Sequence, residues 1–321
     1  MLRKFLLFIF ALAATAALPA AAAPGSLSVL SSATAAPLLL GESHRIHSGL
    51  LAEEREYWMR IPTAFAGANP PESVTVIYVL DGERLFAPTA ALTSFLEGSR
   101  LSSLGPAVVV GVVSGDRTRD FTPTASNARR DGTVDETAKE VGGGAESFYH
   151  FLTTELRASA ESHLPQNTRV ARRVLVGHSY AGLFTLHVLL WHPNAFDGYA
   201  AIDPSVWWDR GALVARAVKA GARTVEKPAP ELYVAFAAQT RPETRYHLAR
   251  ADDLRAKAFP VLNEQGVRTE IRFFHEEVHG TIAPPGVFDA LKKLFPATPL
   301  TGTALHQAHR AEPAPQKPAE N

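Results

Sequence analysis

"RRVLVGHSYAGLFTLHVLL", residues 172–190, decides the fold class. Val174, Leu175 and Val176 form an unbroken apolar run, as in a strand buried on both faces. Gly177-His178-Ser179-Tyr180-Ala181-Gly182 interrupts it, and a helical pattern over 180–192 follows at once. A strand that gives way to a helix within a few residues is the repeating unit of a parallel sheet. The same alternation recurs outward from this point. Strands are predicted at "SVTVIYVL" (73–80), "AVVVGVV" (107–113), "RRVLVG" (172–177), "GYAAI" (198–202), "ELYVAF" (231–236) and "RTEIRFF" (268–274). Helices are predicted over 146–163, 180–192, 211–220, 249–265 and 286–295, and "REYWMRIP" (55–62) reads as an antiparallel edge strand. The expectation is an α/β chain with a mostly parallel central sheet and helices on both faces.

Composition agrees with a globular chain. Of 321 residues, 46% are hydrophobic and 20% charged, and 32 basic side chains balance 32 acidic ones. A balanced charge without a basic run gives no reason to expect nucleic acid or an anionic membrane as partner. The opening "MLRKFLLFIFALAATAALPAAAAPGS" has a basic start, an apolar core and a small-residue region, the pattern of a cleaved export signal over residues 1–23. Its apolar run is shorter than the ~20 residues of a spanning helix, so no stable membrane insertion is expected after cleavage. The expected destination is the periplasm or the medium. No cysteine is present, so neither a disulfide nor a thiol-linked lipid is available. Residues 24–41 read as a disordered lead-in, 42–298 as a single α/β domain and the Pro-rich 299–321 as a disordered tail.

The chemistry begins at Ser179. A strand–turn–helix holds a serine hydroxyl on a strained turn above a sheet, and small residues such as Gly177 let strand and helix approach. The second glycine of G-x-S-x-G is Ala181 here, with Gly182 one place later. A hydroxyl needs a base, and the base expected on the loop after the last strand is His279 in "RTEIRFFHEEVHG". His275-Glu276-Glu277-Val278-His279 also matches H-E-x-x-H. That pattern binds zinc on a helix, where both imidazoles share one face, whereas this copy follows a strand and runs into Gly280, Pro284 and Pro285. No metal and no cofactor is expected.

The carboxylate that orients the base is expected after the penultimate strand. "AAQTRPETRYH" offers only Glu243, the preferred candidate; Asp203, Asp252, Asp253 and a Ser–His dyad without an acid remain alternatives. The oxyanion donors expected are the backbone amides of Tyr180, just after the serine, and of Glu83 in "YVLDGERLF". Trp207 and Trp208 in "DPSVWWDR", and Arg119 in the long polar stretch 116–144, are candidate substrate contacts. A structureless stretch of that length is commonly functional or mobile. His44 and His47 lack convergent carboxylates and read as structural.

The blocks "YVLDGERLF", "RTRDFTPT", "GHSYAGLFTLHVLL", "AIDPSVWWD" and "EEVHGTIAPPGVFDAL" resemble, in order, those of a bacterial esterase family of α/β-hydrolases. The family includes enterobactin-type siderophore esterases and is related to mycolyltransferases and feruloyl esterases. The resemblance covers roughly residues 42–295. It implies an α/β-hydrolase fold and a serine esterase acting on a small ester, with Ser179 as nucleophile, His279 as base and the Glu83 and Tyr180 amides as oxyanion donors. Siderophore lactones are one implied substrate. A peptidase, an acyltransferase or a catalytically silent binding protein on the same scaffold are the rivals. Two departures stand out: Ala181 where relatives commonly carry Gly, and Asp203 where they often carry Ser. Oligomeric state is not legible.

Overall fold

β3 (Ser73–Leu80) shows why the sheet forms. Val74, Val76, Tyr78 and Leu80 pack into one apolar layer while Ile77 and Val79 pack into another, on the opposite face. Full burial of an aliphatic side chain stabilises by about 1.5–3 kcal/mol, so a strand apolar on both sides is held centrally. The computed structural model describes residues 38–99, 102–221, 223–238 and 245–297. The expected signal at 1–23, most of the lead-in, the tail and Glu243 lie outside the described residues.

Eight of the described strands form one sheet in the order β1-β2-β4-β3-β7-β8-β9-β10, where β1 is Glu42–Ser48, β2 Glu53–Arg60, β4 Ala107–Val112, β7 Arg169–His178, β8 Gly198–Ile202, β9 Glu231–Ala237 and β10 Arg268–Phe274. β1 and β2 pair antiparallel at the edge, and all pairs from β4 through β10 are parallel. Helices α1 (Gly82–Leu96) and α9 (Ala283–Leu294) cover one face. The other face carries α3 (Ala145–Phe151), α4 (Arg157–Glu161), α5 (Tyr180–Trp191), α6 (Ala212–Ala220), α7 (Arg245–Asp253) and α8 (Phe259–Glu264). This is the α/β-hydrolase fold, mostly parallel with helices on both faces.

Several details depart from the sequence reading. The helix predicted over 146–163 is interrupted by a π turn at Leu152–Leu156, and the one over 249–265 by another at Leu254–Ala258. α1 went unpredicted because it opens on glycine and contains Pro88. β1 escaped because it is polar and largely exposed. The stretch 116–144 is not structureless: it holds α2 (Arg117–Phe121) and a small ladder between β5 (Ala125–Ser126) and β6 (Val141–Gly142). Asn127 donates to the Asp135 and Ala138 carbonyls, and Arg129 pairs with Asp135. Side-chain bonds of this kind order a segment that lacks apolar periodicity. Its base is anchored by Arg55, which is buried and bonds both Asp120 at 2.9 Å and Glu53 at 2.7 Å.

Candidate active site

β7 and β3 are adjacent and parallel, with Val79 opposite Val176. Their carboxyl ends therefore reach the same rim of the sheet, where ligands bind in such folds. At the end of β7, Ser179 adopts φ 62°, ψ −120° and stands at the N-cap of α5. Its amide donates to the Ile202 carbonyl at 3.0 Å and its carbonyl accepts from Leu183 and Ser205. A non-glycine residue at positive φ is strained, so the hydroxyl is projected off the turn instead of folding back into the helix.

Small residues make the turn feasible. A Cβ on Gly177 would lie 2.2 Å from the Ala181 carbonyl oxygen, and one on Gly182 would lie 3.0 Å from the Pro204 Cα. The close approach of α5 to the β8 end thus falls on Gly182. That explains why Ala181 is tolerated in the pattern.

The last strand, β10, ends at Phe274, and a turn over 275–280 carries His279 to the same rim. His279 Nε2 lies 3.0 Å from Ser179 Oγ, and Nδ1 lies 2.5 Å from Asp203 Oδ2. The His178 ring packs tilted against that of His279 and its Nε2 lies 2.9 Å from the His279 carbonyl oxygen, tying the turn to β7. Burial, then the neighbouring His279, pushes the His178 imidazole down to about 4, so it is neutral and donates through Nε2–H. H-E-x-x-H occupies a turn and not a helix, and His275 does not join His279 in a shared contact with Ser179 or Asp203.

The carboxylate on the imidazole is thus that of Asp203, the alternative to the preferred Glu243. Asp203 leaves β8 in the left-handed region at φ 41°. Its amide donates to the Ala235 carbonyl at 2.7 Å, and Oδ1 accepts from the Ala237 amide at 3.0 Å. A residue from β8 is in this way laid over the end of β9, the place from which the acid was expected. Burial opposes its charge, but hydrogen bonds from His247 and His279 outweigh that and hold the carboxyl well below its usual range. Asp252 and Asp253 instead pair with Arg255, Arg250 and Lys257 on the helix surface. Sequence reasoning had no local signal for His247, which reaches Asp203 Oδ1 at 3.0 Å.

At the end of β3, Asp81 sits at φ 54° and starts α1. Arg117 grips its carboxylate with Nε at 2.5 Å and Nη2 at 2.8 Å, and Ser114 Oγ adds a third bond. The Gly82 and Glu83 amides fall in the first helical turn, where amides have no intrahelical acceptor. The Tyr180 amide holds the equivalent place in α5. The Glu83 side chain is engaged with the Ser114 amide.

The candidate substrate contacts divide. Trp207 is half-buried and flanks Tyr180, with Arg130 over its indole. Trp208 is buried against the edge of Tyr180, and its Nε1–H donates to the Thr124 carbonyl at 2.9 Å, so it supports the 116–144 excursion instead of lining a surface. Arg119 is likewise committed, to Glu53 and Asp120. The guanidinium beside the Tyr180 ring is that of Arg117. An open hollow of about 800 Å³, walled by Arg60, Glu97, Ser102 and Pro106, lies at the opposite rim and holds none of these residues.

A hydroxyl, an imidazole and a buried carboxylate in series on a strained elbow of this sheet define a serine hydrolase of the α/β-hydrolase fold. The chain belongs to the family described as "Putative esterase", whose model matches residues 48–258. It is 30% identical over 235 residues to the ferri-bacillibactin esterase BesA of Bacillus subtilis (strain 168), covering 70% of this chain and 79% of that protein. It is 27% identical over 249 residues to the siderophore enterobactin esterase of Emericella nidulans, covering 69% and 82%. Among solved structures, an IroE-like serine hydrolase from Shewanella oneidensis matches with TM-score 0.66 and 30% identity over 79% of this chain and 80% of that one. The protein is a serine hydrolase acting on carboxylic ester bonds.

Proposed function

We propose that this esterase hydrolyses the ester bonds of a siderophore through an acyl intermediate on Ser179. The observation that carries the reading is the unbroken series Ser179 Oγ–His279–Asp203, at 3.0 and 2.5 Å, in a chain whose relatives are siderophore esterases. His279 takes the Ser179 proton as Oγ attacks the ester carbonyl, and Asp203 stabilises the imidazolium that results. The negative charge on the carbonyl oxygen is received by the Tyr180 and Glu83 amides. His279 returns the proton to the leaving alcohol. It then deprotonates a water that attacks the acyl-serine, releasing the acid and restoring the hydroxyl. Arg130, Tyr180 and Trp207 cluster beside the serine elbow, a cationic and aromatic surface that suits an anionic aromatic substrate.

The signal-like pattern at residues 1–23 supports export to the periplasm or beyond. Among the described residues, no helix is long and apolar enough to cross a membrane.

The test is hydrolysis of a p-nitrophenyl ester series beside a ferric trilactone siderophore, with Ser179→Ala as control. The siderophore is expected to turn over with the higher kcat/KM, and Ser179→Ala to lose at least ~10³-fold of either activity. Preference for short acyl esters with no siderophore turnover removes the substrate assignment. Fluorophosphonate labelling that persists in Ser179→Ala removes the nucleophile.

A further inference from the structure

The acid of the site is held from two sides. His279 takes Asp203 Oδ2, while Oδ1 meets His247 Nε2 at 3.0 Å and the Ala237 amide at 3.0 Å. His247 comes from the first turn of α7 and is only 2% exposed. Its ring packs edge-on against Phe236, the β9 residue just before Ala237. An ionised carboxylate only accepts, so Nε2 must carry the proton. Nδ1 is buried without a hydrogen-bond partner. A proton on Nδ1 as well would bury a second N–H with no acceptor. Asp203 also stands at a strained backbone position, φ 41°, just past the end of β8.

We infer that His247 is a positioning residue whose Nε2–H fixes Asp203 Oδ1, so that Oδ2 is presented to His279 Nδ1. The inference rests on the proposed roles of Ser179, His279 and Asp203. Packing alone would need no nitrogen facing a carboxylate. With this donor removed, Oδ1 keeps only the Ala237 amide, so the carboxylate is held less firmly, and the cost falls on the step in which imidazolium forms, not on substrate binding.

The test uses the full chain with His247→Phe, which keeps a ring on Phe236 and loses the donor, and His247→Gln, which restores an N–H near the same place. Steady-state kinetics on a p-nitrophenyl ester are read beside the low-field proton resonance of His279 Nδ1–H, identified by its loss in His279→Ala. Phe is expected to lower kcat by about tenfold or more with KM within about twofold, and to shift or broaden the resonance. Gln is expected to recover both. Should the Phe variant not fold, His247→Leu takes its place. A donor-less variant with unchanged kcat, or an unchanged resonance, overturns the inference, as does a folded Gln variant no better than it. If the wild type shows no Ser179-dependent turnover, the esterase roles fail instead. The resonance then decides the Asp203 clamp alone, a shift in the donor-less variant supporting it and no shift overturning it.

Discussion

Asp203 carries a negative charge at 1% exposure, with three N–H groups converging on two oxygens. The donors come from three elements: the Ala237 amide from β9, His247 from α7, and His279 from the turn after β10. Asp203→Asn keeps the shape but turns an acceptor edge into a donor. His279 then loses the partner that sets its tautomer. The expected result is a drop in kcat of about 10³–10⁴-fold with KM little changed, whereas Glu243→Gln leaves kcat within about twofold. Parallel kinetics on the two variants check this, and the opposite ranking would return the acid to Glu243. Ser179 and His279 were readable because each stands at a sequence boundary, strand to helix and last strand to turn. Asp203 also stands at such a boundary, yet nothing local ranks it above Glu243.

At the scale of elements, the site is a meeting of β7 and α5 at a turn with no spare volume. Gly177→Ala places a methyl carbon about where the Ala181 carbonyl already sits, 2.2 Å away. The Ala181 carbonyl is backbone and not a flexible side-chain end, so the backbone must move and carry Ser179 with it. We expect loss of activity of at least about tenfold, since small displacements at a reacting centre are costly, together with a lower melting temperature. Kinetics paired with a thermal melt measure both, and a fully active, fully stable variant would contradict the close approach. Strands were legible here because two-sided burial writes itself as apolar, Val-rich runs in β3, β4 and β7. α1 and the 116–144 excursion were not, since Pro88 breaks the helical pattern and the excursion is ordered by polar bonds. Trp208 and Arg119 show the same limit: both types suit a binding surface, and both serve to hold that excursion in place.

For the whole molecule, acid is the sensitive direction. Burial is the first cause that pushes both His178 and His187 down to about 4. A histidine whose folded-state affinity for protons is lowered leaves stability intact above its usual value near 6.5. As pH falls from there to about 4, the unfolded chain binds protons that the folded chain refuses, and stability is lost. Each group contributes a loss of at most about 3 kcal/mol across that window. The depressed carboxyl of Asp203 adds a further loss at still lower pH, as the unfolded carboxylate protonates first. Urea unfolding at pH 7 and pH 5 is expected to show a lower midpoint at pH 5, with the gap narrowed in His187→Phe. Equal midpoints would contradict neutral buried imidazoles. Taken alone, the amino-acid sequence determined the sheet's strand runs, the elbow at Ser179 and the late histidine, because periodicity and turn chemistry are local properties. Only the tertiary structure decided which carboxylate reaches His279 and what braces it. That choice depends on a left-handed turn at Asp203 crossing onto β9 and on α7 folding back over it, contacts between residues 34 and 44 positions away from Asp203.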